Sequence, residues 1–389
     1  MFFEIKKIGL LFRIKSVILP VEFIIETNIK TMRKFTVVAS VLFASLLMLF
    51  IAPARAQELD EGHRLKIYSG FLDGSYFQMA KDMQSMTRKM YGTVQYDITE
   101  MQVPKINPQT GDTLRDAETG EALYDVEILK AATGDTTEFM EVRESDGSYY
   151  NFLKINKIDV DVTFLQYDVL LYESERDLSR RFKKTDDIRV LLPLGSEEIH
   201  LITLKDSKIN SFADLKKKRV ATGSSLQGTH ITAAFIKDAT KVKWIDVDLP
   251  YDKAFRALLN HDIDAFFFVG KAPISRLKNM KKSMRDKIKL ISLPENDVLK
   301  DAYGELVEIN NSMYSWVVDP IKTYAVKSLL VTSLSGQTPL QKDQITKLLQ
   351  AIKAMKDKGG FHESWKSINF EKDPLIEWKY YDAALKLYN

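Results

Sequence analysis

Two stretches of this chain that repeat each other in the same order limit what it can fold into more than any other feature. Leu65-Lys66-Ile67-Tyr68-Ser69-Gly70-Phe71-Leu72-Asp73-Gly74-Ser75-Tyr76 and Lys218-Arg219-Val220-Ala221-Thr222-Gly223-Ser224-Ser225-Leu226-Gln227-Gly228-Thr229 each run from a strand-like segment through Ser/Thr-Gly and a short turn to Gly-Ser/Thr. An amphipathic helix follows each. Phe77, Ala80, Met83 and Met90 recur at helical spacing after the first, and Ile231, Ala234 and Phe235 after the second. Downstream, the segments Phe152 to Phe164 and Phe255 to Phe267 match at a constant offset of 103. Both pass from a helix end through Asp-x-Asp (Asp159 and Asp161; Asp262 and Asp264) into an apolar, buried-type strand. One strand–turn–helix match would carry little weight, because the unit is common. Two pairs in one order predict two α/β halves built on the same plan.

The halves are unequal. Gly74 to Asp161 spans 87 residues and Gly228 to Asp264 only 36, so the first half holds 51 extra residues, expected mostly between about Ile98 and Ser148. That region reads Pro104, Pro108-Gln109-Thr110-Gly111-Asp112, Thr119-Gly120-Glu121 and Thr133-Gly134-Asp135. Such triplets between short alternating segments predict an insertion with β-hairpin turns rather than a linker. It could serve as decoration, partner-docking surface or lid.

Helix N-termini that follow Gly-Ser/Thr turns suit the capture of an anion. The first N–H groups of a helix lack intrahelical partners and carry the positive end of the macrodipole. Glycine lets the backbone come close, and a hydroxyl adds an adaptable donor and acceptor. Gly74, Ser75, Ser224, Ser225, Gly228 and Thr229 are therefore candidate ligand-binding residues for a carboxylate or related anion held between the two halves. The competing role for Ser75, Ser225 and Thr229 is N-capping of their own helices. Gly270 and Lys271 end the second apolar strand, and Lys271 is a candidate cation against the plainer role of a solvated lysine.

Composition removes other functions. With no Cys there is no disulfide, thiolate metal site, iron–sulfur cluster or Cys nucleophile. His63, His200, His230, His261 and His362 show no metal spacing, and His200 reads as a strand residue. No nucleophile–base pair or cofactor fingerprint appears, so neither an enzyme nor a cofactor is expected. The four acids of the Asp-x-Asp pairs are expected to fill short-range turn and cap roles. Lys216-Lys217-Lys218-Arg219 reads as a solvated face, and no nucleic-acid partner is expected.

Near the start, Met32-Arg33-Lys34, an apolar run from Phe35 to Ala52 and Ala54-Arg55-Ala56 stand in the order of a secretory signal peptide, with cleavage expected after Ala56. Residues 1–31 then precede the true start, 32–56 are the signal, and the working protein is periplasmic. A retained anchor is the alternative, since an 18-residue run is near the lower limit for a span. The charge changes meaning with this reading. Residues 1–56 hold eight of the 56 basic and three of the 53 acidic residues, which leaves 48 against 50 and turns a formal +3 into −2. Attraction for an anion must then come from local geometry.

Three runs carry a family resemblance: Pro193-Leu194-Gly195-Ser196-Glu197-Glu198-Ile199-His200-Leu201-Ile202-Thr203-Leu204-Lys205-Asp206, the stretch Ile209 to Ser224, and Phe266-Phe267-Phe268-Val269-Gly270-Lys271-Ala272-Pro273. They resemble the TAXI solute-binding proteins, the TRAP-associated extracytoplasmic components of ion-driven TRAP transporters. The resemblance runs from about Leu65 to the Trp365 region. It implies a two-lobed α/β periplasmic binding protein of type 2, a Venus flytrap that hands a small carboxylate or amino acid to TRAP membrane subunits, acting as a monomer. It also implies ligand-facing roles for Gln166, at the end of the first Asp-x-Asp strand, and for Tyr76 and Tyr324 near the cleft. The first turn departs from the family's Gly-rich pattern at Phe71, Leu72 and Asp73. An acid there repels a carboxylate unless a cation offsets it, which opens the site to neutral or amine-bearing ligands.

Topology supplies the hinge. Glu198 to Leu204 and Tyr324 to Thr332 read as the two strands by which the chain enters and leaves the second lobe. Lobe one is then 57–205 plus 323–389, with the insertion at about 98–148, and lobe two is 206–322. Ile345, Leu348, Leu349, Ile352 and Met355 at helical spacing are expected to close back on lobe one. The competing function is a sensory or assembly module of the same fold that presents the insertion to a protein partner.

Overall fold

A computed structural model describes residues 64–92, 94–107, 112–117, 119–136, 138–155, 160–181 and 183–388. The expected signal segment, its cleavage site and Asp159 lie outside the described residues. In chain order the strands are β1 (Leu65–Tyr68), β2 (Val94–Pro104), β3 (Tyr124–Thr136), β4 (Met140–Arg143), β5 (Val162–Gln166), β6 (Ile188–Leu204), β7 (Arg219–Ala221), β8 (Ile245–Val247), β9 (Ala265–Gly270), β10 (Ile288–Leu290), β11 (Val307–Ile309), β12 (Ile321–Thr323) and β13 (Ala325–Ser333). The longer helices are α1 (Ser75–Tyr91), α2 (Ser148–Ile155), α3 (Tyr167–Arg180), α4 (Gly228–Thr240), α5 (Tyr251–Leu259), α6 (Asp297–Tyr303) and α7 (Pro339–Met355).

The halves pair their strands in one register. β1 lies parallel to β4 and β5 with Ile67 opposite Val162, and β7 lies parallel to β8 and β9 with Val220 opposite Ala265. Val162 and Ala265 stand 103 residues apart, the offset of the sequence repeat. Each half is closed by a long strand running the other way: β13 against β5 and β6 against β9. β6 and β13 also pair with each other, so one sheet of order β4-β1-β5-β13-β6-β9-β7-β8, with β10 on β6, runs through both lobes.

Two of the four repeated acids, Asp161 and Asp264, hold this arrangement by long-range bonds, a correction to the short-range roles expected of them. Asp161 Oδ2 accepts from the Lys66 N–H at 2.7 Å, and Asp264 Oδ2 from the Arg219 N–H at 2.7 Å. The Thr332 hydroxyl donates to the Asp161 carbonyl at 2.7 Å, and the Thr203 hydroxyl to the Asp264 carbonyl at 2.8 Å. Each acid thus satisfies a donor at the start of a strand. The chain uses the same device twice.

Both faces of each half-sheet are covered, as the near-continuous apolar strands require. In lobe one, Leu65, Met83, Phe164, Leu348 and Trp365 fill one face, and Phe152, Leu165, Val190 and Leu329 the other. In lobe two, Phe235, Trp244 and Phe267 fill one face and Leu258, Phe266 and Tyr314 the other, and Ile199 and Ile202 of β6 join them although they precede the expected boundary at 205. α7 closes on lobe one through Ile345, Leu348, Leu349 and Ile352. Its start is set by Pro339 in the first turn and by Thr338 and Gln341, which cap each other's backbone. Together these cores make a two-lobed α/β arrangement. β6 crosses between the lobes without interruption, turning at Gly195 with φ +98, where glycine is needed.

The extra residues of the first half form a hairpin, β2 against β3, in a sheet of their own. β4 belongs to the main sheet, so the insertion ends before Met140 rather than at Ser148. Thr119-Gly120 makes the expected turn, with Gly120 at φ +75 and Asp116 Oδ1 accepting from the Thr119 N–H. Thr133-Gly134-Asp135 does not. It lies within β3, between Ala132 opposite Tyr96 and Thr136 opposite Val94, where the register shifts. Glycine there marks a bulge.

Candidate functional site

The N-termini of α1 and α4, one from each lobe, open onto one cavity of about 210 Å³ at the crossing of β6. That is smaller than the ~300 Å³ lower end for drug-sized ligands, so it suits a small solute. The N-cap positions are Gly74 and Gln227, both extended, and neither side chain caps its helix. Neither helix has an acid in its first turn. Ser75 and Thr229 therefore sit inside their helices and do not act as caps. The anion-attracting end of each helix faces the cavity without a carboxylate of its own.

Gly74, Ser75, Tyr76, Gln166, Gly228, Thr229, Gly270 and Lys271 all line this cavity. Ser224 and Ser225 do not. The turn before α4 folds on itself, with the Ser224 N–H on Gln227 Oε1 at 2.8 Å and the Ser225 N–H on Asp248 Oδ2 at 3.2 Å, and both serines face an adjoining recess or solvent. Tyr324 is also outside: its ring packs in the core of lobe two and its hydroxyl accepts from the Asn296 N–H at 3.1 Å. Its place at the start of β13 points it toward Tyr303 rather than the cleft.

The floor is polar and buried. Gln166 Nε2 donates to Glu197 Oε2 at 2.8 Å, and the Gln166 N–H donates to Ser148 Oγ at 2.7 Å. Tyr76 stacks on Phe164, and its buried hydroxyl lies beside Glu197 and Ser328, with burial pushing it well above its ordinary value. Burial pushes the Glu197 carboxyl up to about 7. Glu197 was missed as a site residue, although one signal was present: the pair Glu197-Glu198 inside a mostly apolar strand.

Contacts join the lobes around this floor. Arg276 holds both Asp73 oxygens, with Nη2 to Oδ1 at 2.6 Å, and reaches Asp252 at 2.8 Å. Arg276 supplies the cation that the acid in the first turn requires, and it holds the Asp73 carboxyl below its usual range. Nothing in the sequence near Arg276 marks it for this. Lys271 Nζ donates to Ser367 Oγ at 2.9 Å, and the Tyr150 N–H of lobe one to the Leu226 carbonyl of lobe two at 2.9 Å. Behind the cleft, Asp168 Oδ2 accepts from Thr232 at 2.6 Å and from Tyr303 at 3.0 Å. Burial raises Asp168 to about 6.

These two acids predict a pH effect. A carboxyl whose pKa rises on folding keeps a proton in the folded chain that the unfolded chain has released, so the unfolded state binds fewer protons and stability falls as pH rises. From ordinary values near 4 up to about 7 for Glu197 and about 6 for Asp168, stability is expected to decline across that window. Urea unfolding without solute at pH 5 and pH 7.5 tests it. A midpoint no lower at pH 7.5 counts against buried, proton-retaining acids.

Among the described residues no group of His, Asp or Glu is placed to hold a metal, and no helix is long and apolar enough to cross a membrane. The model of the NMT1-like family matches residues 117–374. Among solved structures, the chain is similar to the substrate binding protein of an amino acid ABC transporter, at 11% identity over 78% of this chain and 96% of that one, with a TM-score of 0.38. It is similar to an arginine transport system periplasmic binding protein from Legionella pneumophila, at 13% identity over 76% and 95%, with a TM-score of 0.39. A putative L-cystine ABC transporter from Listeria monocytogenes matches at 12% identity over 76% and 92%, with a TM-score of 0.41.

Proposed function

This chain belongs to the NMT1-like family, and on that footing we propose that it is a solute-binding receptor that captures a small carboxylate-bearing metabolite between its lobes. The observation that carries the reading is the convergence of two uncapped helix N-termini, from facing lobes, on one cavity at the strand crossing. Such a site needs no covalent chemistry. A ligand that touches both lobes favours the closed arrangement by its differential contacts. The signal-like segment Met32 to Ala56 supports export to the periplasm, and the resemblance to TAXI proteins supports delivery to TRAP-type membrane subunits by a monomeric receptor.

Thermal unfolding of the protein against carboxylates, amino acids and related metabolites tests the reading. A true ligand at about 100 times its Kd is expected to stabilise the folded state by about 2.7 kcal/mol. Silence across a broad library counts against the receptor.

Among the described residues the hairpin of β2 and β3 pairs with no other strand, which favours a second reading as a docking device for a protein partner. No cavity-lining residue among those described lies in it. Deleting residues 94–136 is expected to leave the solute-induced shift within about 1 °C of the full chain, since one-site linkage depends only on contacts at the cleft. Loss of the shift would make the hairpin part of the solute site.

A further inference from the structure

We propose that Asp73 and Arg276 form a latch across the mouth of the cleft, one that draws the lobes together before any solute arrives; this goes beyond the receptor reading and does not depend on which solute is bound. Arg276 holds both oxygens of Asp73, and both residues line the cavity. Their side chains keep 52% (Asp73) and 27% (Arg276) of their surface exposed, whereas Gln166 and Glu197 on the floor are 4% and 5% exposed. The pair therefore stands at the rim, where a hinge rotation of one lobe against the other moves atoms farthest. The bond joins protein groups alone and needs no solute to complete it.

Each partner is fixed to its own lobe. The turn of Asp73 is closed by the Gly74 N–H on the Phe71 carbonyl at 2.8 Å and runs directly into α1. The segment of Arg276 is held by the Ala272 N–H on Glu198 Oε2 at 2.6 Å and by the Ile274 N–H on Tyr314 Oη at 2.7 Å. Tyr314 Oη in turn meets His200 Nε2 on β6 at 2.9 Å. The two charges must part when the lobes part.

Arg276 has a second set of partners inside lobe two. Its Nη1 donates to Asp252 Oδ1 at 2.8 Å, and its guanidinium lies 5.2 Å from the centroid of the Tyr251 ring, both on α5. On opening, Arg276 keeps this carboxylate and this ring, so only Asp73 loses its counter-charge. The fork of a guanidinium on a carboxylate is geometrically strict, yet the pair is open to water and screened by salt. Such a bond suits a catch that closes the cleft and gives way again.

The chain has no cysteine, so labels can be placed at chosen sites. Lys81 on α1 and Ser283 in lobe two are exposed, lie outside the cavity lining, and stand eight residues from Asp73 and seven from Arg276 along the chain. The test is pulsed electron double resonance between nitroxides on Lys81→Cys and Ser283→Cys of the full chain, without solute, at about 50 mM and about 1 M NaCl. At low salt the shorter distance is expected to predominate. Asp73→Asn should lower the ratio of short to long distances by about fivefold, the upper end for an exposed ion pair. High salt should do the same with the latch unsubstituted, because screening then acts within about 3 Å. Arg276→Lys keeps the charge without the fork and should fall between. Asp252→Asn removes only the partner inside lobe two and should leave the short distance at least as populated. A long distance predominating at low salt overturns the latch, as does a ratio unmoved by Asp73→Asn or unmoved by salt. A loss in Asp252→Asn equal to that in Asp73→Asn also overturns it and makes Arg276 a brace within lobe two. If Asp73→Asn does not fold, the salt series decides alone. No solute enters the measurement, so failure of the latch leaves the receptor reading to the metabolite library.

Discussion

Gly228→Ala is expected to weaken solute binding by about 100-fold or more while leaving the unliganded protein folded, since a misfit at a close-packed contact is not absorbed by small shifts. A Cβ on Gly228 would fall 1.6 Å from Gln166 Oε1, 2.7 Å from its Cδ and 3.0 Å from Ser148 Cβ. The end of a glutamine can usually move aside. Here it is 4% exposed and its amide nitrogen is engaged by Glu197. Either Gln166 gives up the floor of the cleft or lobe two stands off from lobe one. Lobes drawn apart would meet no such conflict, so unfolding without solute should change little. Titration calorimetry beside thermal unfolding separates the two effects. Affinity within tenfold of the wild type would mean that closure does not use the approach of Gln166 to Gly228.

Trp365→Ala should cost about 3–5 kcal/mol, the range for emptying a large aromatic site in a core. Trp365 has no exposed surface, packs in the core of lobe one, and donates from Nε1 to Asp82 Oδ2 at 2.9 Å. The same carboxylate accepts from the His362 N–H at 2.7 Å. His362, Glu363 and Ser364 line the cavity, so this tryptophan couples the C-terminal segment to the site as well as to the core. Loss of both stability and solute binding is expected. Urea unfolding followed by far-UV circular dichroism reads the loss, since Trp378 in lobe one and Trp244 in lobe two both fluoresce and do not separate the lobes. A change under about 1 kcal/mol would show that the segment from His362 docks only loosely.

Much of the fold could be read before any coordinate. The offset of 103 between Val162 and Ala265 reappears as strand register, because alternation and helical periodicity are local patterns repeated in both halves. The triplets of the insertion were harder. Thr119-Gly120 is a turn, but Thr133-Gly134-Asp135 sits in a strand, since a glycine allows a turn without demanding one, and only the partner strand decides.

The site divides in the same way. Gly74, Ser75, Gly228 and Thr229 were readable because a helix end announces itself by its turn residues. Ser224 and Ser225, four and three residues before Gly228 in the same turn, face elsewhere. Tyr324, carried over by resemblance, lies in a core instead, because a family position conveys no side-chain direction when neighbouring contacts differ.

The sequence by itself determined that there would be two α/β halves, where their helices begin, and that their cores would form without disulfides. Those properties depend on residues within a few positions of one another. Only the tertiary structure decided that Arg276 meets Asp73 across 203 residues, that Asp161 and Asp264 hold strands 95 and 45 residues away, and that Glu197 lies on the cavity floor against Gln166. Charge and hydrogen bonding act over a few ångströms of space, whatever the distance along the chain, so the partner of a buried charge is settled only when the lobes meet.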